Sequence, residues 1–263
     1  MRVLEEAEIL FCEDTRVAKK LLKLLRERHG LKSNIKRFIS LHSHNEERVL
    51  SSLEPTIFEK NVVYMSDAGM PCVSDPGALL VEFCQKEGIE YTVLPGPSAF
   101  VTAYAASGFK EKEFLFYGFL PHKGKQRESE LEKLLRYPFA VILYEAPHRI
   151  EKLLAELSSL APDRTLFIAK EITKRHERYF KGVAKDLSEK ITRALSKGEW
   201  VVVLSKGEEE TEDKRLTQKE IEELDLSPKQ KAKLLSKATG LGVKECYRIL
   251  TSKMENGDKM TQK

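Results

Sequence analysis

The stretch VVYMSDAGMPCVSDPG, residues 62–77, decides the fold. Val62 to Met65 form a short apolar run of the length of one buried strand, and Ser66-Asp67-Ala68-Gly69-Met70-Pro71 follows as a polar turn. A helix pattern then runs from about Pro76 to Lys86: Asp75 stands where an N-cap belongs, proline takes the first helical position, and Gly88 lies just past the end. Strand, polar turn and helix make half of a βαβ unit, and the pattern repeats outward in both directions. Apolar runs recur as ILFC (9–12), FISL (38–41) and YTVL (91–94), then as FLFYGFL, AVILY, TLFIA and WVVVL. Amphipathic segments separate them. Residues 14–29 put Val17, Leu21, Leu24 and Leu25 on one face, carry Arg26, Arg28 and His29 in the last turn and stop at Gly30. Arg149 to Leu160 aligns Ile150, Leu153, Leu154 and Leu157. The alternation predicts an α/β fold with parallel strands and crossover helices.

At 263 residues and 41% apolar side chains, the chain has material for two α/β domains, each with its own core. Boundaries are expected at 1–113 and 114–206, followed by an acidic linker at 207–216 and a small helical tail at 217–263. The linker rests on GEEETEDKR (207–215), with five acidic residues against two basic. The tail carries ten Lys and Arg against seven Asp and Glu and shows two or three short helical patterns, the last two flanking GLG. A helix-turn-helix-like RNA contact and a plain helical appendage both fit it. Net charge is +4 with a pI near 8.7, which suits an acidic partner without requiring one. Cys12, Cys72, Cys84 and Cys246 are far apart and show no zinc or disulfide spacing. No window approaches 18 uninterrupted apolar residues, and MRVLEEAEIL lacks the features of a signal peptide, so a cytoplasmic protein is expected.

In an open parallel sheet, ligands bind beyond the carboxyl ends of the strands. Here those ends read Glu13-Asp14-Thr15-Arg16, His42-Ser43-His44-Asn45-Glu46, Asp67-Ala68-Gly69 and Pro95-Gly96-Pro97-Ser98-Ala99. Glycines there let a ligand lie against the main chain, and free N–H groups at Ser98 and Ala99 suit a carboxylate or an adenine edge. For Glu13, Asp14 and Arg16 a capped helix start with a local ion pair is the competing explanation. His42 and His44 lack a nearby third ligand, so a solvated loop or a substrate contact fits the HSHN segment better than a metal.

The runs CEDTR, SLHSHNE, VVYMSDAGMPCVSDPG, LPGPSA, FLFYGFLPHKGK and ILYEAPHRI, in this order, resemble the ribosomal RNA small subunit methyltransferase I family of the tetrapyrrole methylase superfamily. The resemblance runs from Met1 to about Gly207 and extends to the tail. It implies a two-domain tetrapyrrole methylase-like fold, with a parallel-sheet first domain, a mixed-sheet second domain and a helical tail. It implies a homodimer that uses S-adenosylmethionine to methylate a cytidine 2′-hydroxyl in 16S ribosomal RNA. The cofactor is expected against Asp67, Ala68, Gly69, Val73, Ser98, Ala99, Tyr144 and Ala146. Glu13, Asp14 and Glu145 are the candidate proton acceptors, with His42 or His148 behind them. Arg16, His42, Asn45, Lys123, His148 and Arg149 are the expected substrate contacts, and Lys125 and Arg127 are expected to join Arg16, Lys123 and Arg149 in neutralising phosphates. An ion-pair network at the domain interface is the competing role for the charged members of this set. Another superfamily enzyme, or an RNA-binding protein without activity, remains the alternative.

One departure stands out. Family members begin with an apolar strand and a P-x-P-I-G-N-x-x-D loop ahead of the segment matching MRVLEEAEILFCEDTR, and neither precedes it here. That strand would be central to the first sheet. Its absence predicts either an edge completed by a partner subunit or a rearrangement that leaves the strand ending at Glu13 at the edge.

Overall fold

A computed structural model describes residues 1–191, 197–207 and 218–258. The expected acidic linker lies almost wholly outside the described residues. The chain divides into two compact units, Met1–Gly207 and Glu208–Lys263.

The first unit starts with α1 (Arg2–Glu6), β1 (Ile9–Cys12), α2 (Thr15–His29), β2 (Arg37–Ser40), α3 (Glu46–Ser51), a 3-10 turn at Pro55–Glu59, β3 (Val62–Met65), α4 (Ala78–Lys86) and α5 (Ala99–Ser107). The strand β1 lies between β2 and β3 and runs parallel to both. All four of its side chains are buried, because successive residues face opposite layers. Ile9 and Phe11 pack with Leu80 and Cys84 of α4, and Leu10 and Cys12 pack with Ala18 and Leu22 of α2.

Four expectations are corrected here. The strand ending at Glu13 is the centre of its sheet and not an edge, and β2 and β3 are the outer strands. YTVL (91–94) is not a strand, since among the described residues no neighbour pairs with it, and Tyr91, Val93 and Leu94 are exposed. An apolar run becomes a strand only through a ladder. On α2 the packed residues are Ala18, Leu22 and Leu25, whereas Val17, Leu21 and Leu24 face outward. Finally, α4 begins at Ala78 after Gly77 and Asp75 does not cap it, because residues 75–77 are held in the preceding loop. Unpaired groups exchange first, so amides of 90–94 should exchange with solvent far faster than those of β1. Equal protection in a hydrogen-exchange experiment would show that residues 91–94 are paired in solution.

The same unit continues with β4 (Phe114–Phe119), α6 (Lys125–Leu135), β5 (Ala140–Glu145), α7 (Ile150–Leu160), β6 (Thr165–Lys170), β7 (Arg178–Val183), α8 (Ala184–Lys190) and β8 (Trp200–Leu204). The sheet order is β4-β5-β8-β6-β7, with β4 and β5 parallel and every other pair antiparallel. This is the expected mixed sheet. The aligned face of α7 is buried completely, with Ile150, Leu153, Leu154 and Leu157 in one core with Trp200, Val202 and Leu204 of β8. Among the described residues no helix is long and apolar enough to cross a membrane.

In the second unit, α9 (Gln218–Glu223), α10 (Pro228–Thr239) and α11 (Val243–Asp258) share a small core of Ile221, Ala232, Leu235, Cys246 and Leu250. Ser227 and Gln230 form a capping box ahead of Pro228, and Gly240 ends α10 in the left-handed conformation.

Candidate active site

The carboxyl ends of β1 and β3 are stitched together by side chains that reach across to the main chain. Glu13 accepts the Asp67 N–H (3.0 Å), and Asp67 in turn accepts the Asp14 N–H (3.4 Å). Asp14 caps α2 by accepting the Arg16 N–H at 2.7 Å and also binds the Arg16 guanidinium at 2.6 Å. The Arg16 guanidinium and main-chain N–H together hold the Asp14 carboxyl down at about 2. At the end of β2, Asn45 is buried with both ends of its amide engaged, accepting from His42 N–H (2.8 Å) and donating to Ser40 O (3.0 Å). The His42 and His44 rings meet edge to face, and His42 Nδ1 accepts the His44 N–H at 3.3 Å.

Beyond β3 the chain enters a loop whose strain is held by its surroundings. Cys72 and Ser74 have φ of 67° and 62°, a region non-glycine residues rarely occupy. Cys72 donates its N–H to Pro76 O at 3.1 Å, the Tyr64 hydroxyl donates to the same oxygen at 2.8 Å, and buried Glu46 accepts the Gly77 N–H at 2.8 Å. These contacts replace the helical start expected at Pro76. They also leave the Asp75 carboxylate without any hydrogen bond or ion pair among the described residues. A Cβ added to Gly69 would sit 3.8 Å from Asp75 Oδ2 and 4.0 Å from Pro97 O, so the turn after β3, the segment ahead of α5 and this carboxylate border one space. Burial first, and then the charges of Glu13 and Asp67, push the Asp75 carboxyl up to about 6.

The second sheet closes this space from the other side. Gly118, at an irregularity in β4, approaches Ser74 so closely that a Cβ there would lie 3.2 Å from its hydroxyl. The Tyr144 hydroxyl accepts the Phe100 N–H at the first turn of α5 (3.3 Å), and Phe100 stacks on Phe116 at 4.1 Å between ring centres. Tyr144 is raised by burial and, more weakly, by the charge of Asp75. Ser98, in the cap position of α5, keeps a buried hydroxyl with no hydrogen-bond partner.

At the end of β5, Glu145 is fully buried in side chain and flanked by two arginines. Arg127 Nη2 lies 3.2 Å from Glu145 Oε2, and Arg149 Nε lies 2.9 Å from Oε1. Arg127 also grips Glu156 and the carbonyl of Pro121, and Arg149 donates to the carbonyl of Leu120. Arg127 therefore has no access to phosphate: at 1% exposure it is a core residue, which corrects the expectation for it. The sequence showed an arginine in a basic run, PHKGKQR, and the helix of α6 turns that one residue inward. Lys123, Lys125, His148 and Arg16 are exposed, as are Asp67, Ala68 and Gly69, while Val73, Ala99 and Ala146 are half-buried. The expected cofactor contacts thus lie in the turn and loop after β3, at the start of α5 and at the end of β5. Glu145 and Arg149 form the ion-pair network that was the competing role for charged residues at this place.

A chain with two such sheets and ligand-ready strand ends belongs to a defined class. Residues 1–188 match the tetrapyrrole (corrin/porphyrin) methylases, and the chain belongs to that family of methyltransferases. It is 46% identical to the ribosomal RNA small subunit methyltransferase I of Campylobacter fetus, across 94% of this chain and 92% of that one. The protein of the same name from Helicobacter pylori strain 26695 is 40% identical across 96% and 93%. Among solved structures, the uroporphyrin-III C-methyltransferase of Thermus thermophilus complexed with S-adenyl homocysteine superposes with a TM-score of 0.50 at 16% identity, covering 79% of this chain and 88% of that one. The methyltransferase CobJ gives 0.53 at 20% identity over 78% and 85%. These two likenesses concern the fold alone.

Proposed function

We propose that this chain uses S-adenosylmethionine to methylate the 2′-hydroxyl of a cytidine in 16S ribosomal RNA, working in the cytoplasm as a homodimer on the small ribosomal subunit. The names carried by its relatives supply the RNA class, and the family resemblance supplies the nucleotide and the dimer. The observation that carries the reading is the space between the two sheets. There the unpartnered Ser98 hydroxyl lies at the first turn of a helix, and the open face of Gly69 offers room that no side chain fills. An unmet hydroxyl, helix N-terminal donors and bare backbone suit the amino-acid and adenosine ends of S-adenosylmethionine. Asp67, Ala68, Gly69 and Val73 would hold it on the first sheet, with Ser98, Ala99, Tyr144 and Ala146 opposite. When bound, the cofactor supplies an electrophilic methyl group on a sulfonium. The protein's own contribution is to align the hydroxyl, exclude water and accept one proton. Exposed Arg16, Lys123 and Lys125 suit phosphates near the cleft, and His42 and His148 suit contacts to the nucleotide.

The test combines labelled methyl transfer to unmethylated small ribosomal subunits with equilibrium dialysis of the cofactor. Transfer to a cytidine ribose is expected, and Gly69→Leu and Ala99→Trp should each weaken cofactor binding at least about 100-fold, or roughly 2.8 kcal/mol. Cofactor binding without transfer to RNA would favour a porphyrinoid substrate. RNA binding without cofactor binding would favour an inactive RNA-binding protein.

A further inference from the structure

We propose that Asp75 is the proton acceptor of the methyl transfer, a catalytic residue outside the set suggested by the sequence. The inference rests on the reading of a ribose hydroxyl as the substrate and names the base which that reading leaves open.

Geometry singles this residue out. The other carboxylates at the site already accept hydrogen bonds or pair with cations: Glu145 with two arginines and no side-chain exposure, Asp14 with Arg16 and the cap of α2, Glu13 with the Asp67 N–H, Asp67 with the Asp14 N–H and Glu46 with the Gly77 N–H. Asp75 accepts no hydrogen bond and pairs with no cation among the described residues, although Tyr64, Glu46 and the main chain brace the loop on either side of it. Its Oδ2 borders the same opening as Gly69 and Pro97, where the cofactor is expected, and its neighbour Ser74 touches β4 of the opposite sheet. A strained loop braced from outside by Tyr64, Glu46 and β4, holding one uncommitted carboxylate beside Gly69 and Pro97, is a costly arrangement for a surface turn. The groups facing Asp75 are Glu13 at the end of β1, Tyr64 and Asp67 at β3, Cys72 in its own loop and Tyr144 at the end of β5, and none is cationic.

The chemistry balances. As the ribose oxygen forms its bond to the methyl carbon, Asp75 takes the hydroxyl proton; the electron pair of the breaking carbon–sulfur bond stays on sulfur, leaving a neutral thioether. The proton then passes from Asp75 to water. A carboxyl raised to about 6 is ionised at neutral pH and is a better base than an ordinary one.

The test is Asp75→Asn, with Asp75→Ala as a second variant, read in three ways. Single-turnover transfer to small ribosomal subunits should fall on the order of 10²–10⁴-fold, and the acid limb of the wild-type rate profile near pH 6 should disappear. Cofactor affinity from equilibrium dialysis should stay within about threefold. Stability should move the opposite way from activity. A raised folded-state value contributes stability only below the unfolded value, and that contribution is lost as pH rises through about 6, so the charge opposes folding at pH 8. Asp75→Asn should therefore melt at or above wild type at pH 8, with the gap closing on acidification. Undiminished transfer, a surviving acid limb, a loss of cofactor affinity equal to the loss of rate, or a lowered melting point at pH 8 would each overturn the proposal while leaving the RNA reading intact. A wild-type protein that binds cofactor yet methylates no ribose would remove both.

Discussion

Replacing Arg127 with methionine is expected to lower the melting temperature of the first unit by roughly 6–20 °C, from about 3–5 kcal/mol at about 2–4 °C per kcal/mol for a domain of this size. Arg127 is 1% exposed and Glu145 beside it is 2% exposed, so neither charge has water to fall back on. The guanidinium meets Glu145 at 3.2 Å, Glu156 at 2.8 Å and the Pro121 carbonyl at 3.1 Å. Methionine fills much of the same volume but leaves Glu145 with only Arg149 and the Ala146 N–H, and leaves the Pro121 carbonyl with only the longer bond from Arg149, 3.3 Å. Breaking a buried pair from one side is far more damaging than the pair is stabilising, because the remaining charge is left without its partner. Arg127→Lys should recover only part of the loss, since an ammonium cannot serve three acceptors in the planar fork that the site presents. Thermal unfolding of the three proteins checks this. A methionine variant within about 1 kcal/mol of wild type would show that Arg149 and the Ala146 N–H suffice for Glu145.

The same network explains how far the sequence could be read. The runs at 9–12 and 62–65 match β1 and β3 in both limits; β1, the central strand, is buried on both faces and must be apolar throughout, and β3 is half-buried along its length. The run at 91–94 is also apolar and β-rich but has no strand partner among the described residues, so composition alone does not make it a strand. The strand β7, RYFKGV, went unrecognised for the converse reason: it is a sheet edge with charged Arg178 and Lys181, and pairing with β6 makes it a strand. In the site, strand ends were legible because glycine, proline and acidic residues cluster there. Commitments were not legible. Nothing in the spelling of EAPHR or PHKGKQR says that Glu145 and Arg127 find each other in the core, or that SDPG holds its aspartate clear of the helix cap. The placement of Asp75 depends on Glu46 and Tyr64, which come from elsewhere in the chain and take the main-chain groups of residues 76–77.

That dependence is exposed most directly at Gly77, where alanine is expected to destabilise the first unit by about 2–5 kcal/mol, combining backbone strain with overpacking. Its φ is +118°, and an added Cβ would lie 2.3 Å from Tyr64 Cε1 and 3.0 Å from Cys72 Sγ. The closer neighbour cannot yield cheaply, because moving the Tyr64 ring breaks its bond to Pro76 O. Shifting the main chain instead pulls Gly77 N–H away from the buried Glu46 carboxylate, which then loses a donor. Every escape displaces the loop that carries Asp75 and faces Gly69, so cofactor binding should weaken together with stability. Gly30→Ala is the matched control, because Gly30 also has a positive φ, +69°, but nothing stands within 4 Å of its added Cβ. It should cost only about 1 kcal/mol of strain and leave cofactor affinity unchanged. Denaturant unfolding and cofactor dialysis of the two variants separate conformational strain from the clash. If Gly77→Ala proved no worse than Gly30→Ala, the loop would be free to relax and its bracing by Tyr64 and Glu46 would not be what fixes Asp75 in the cleft.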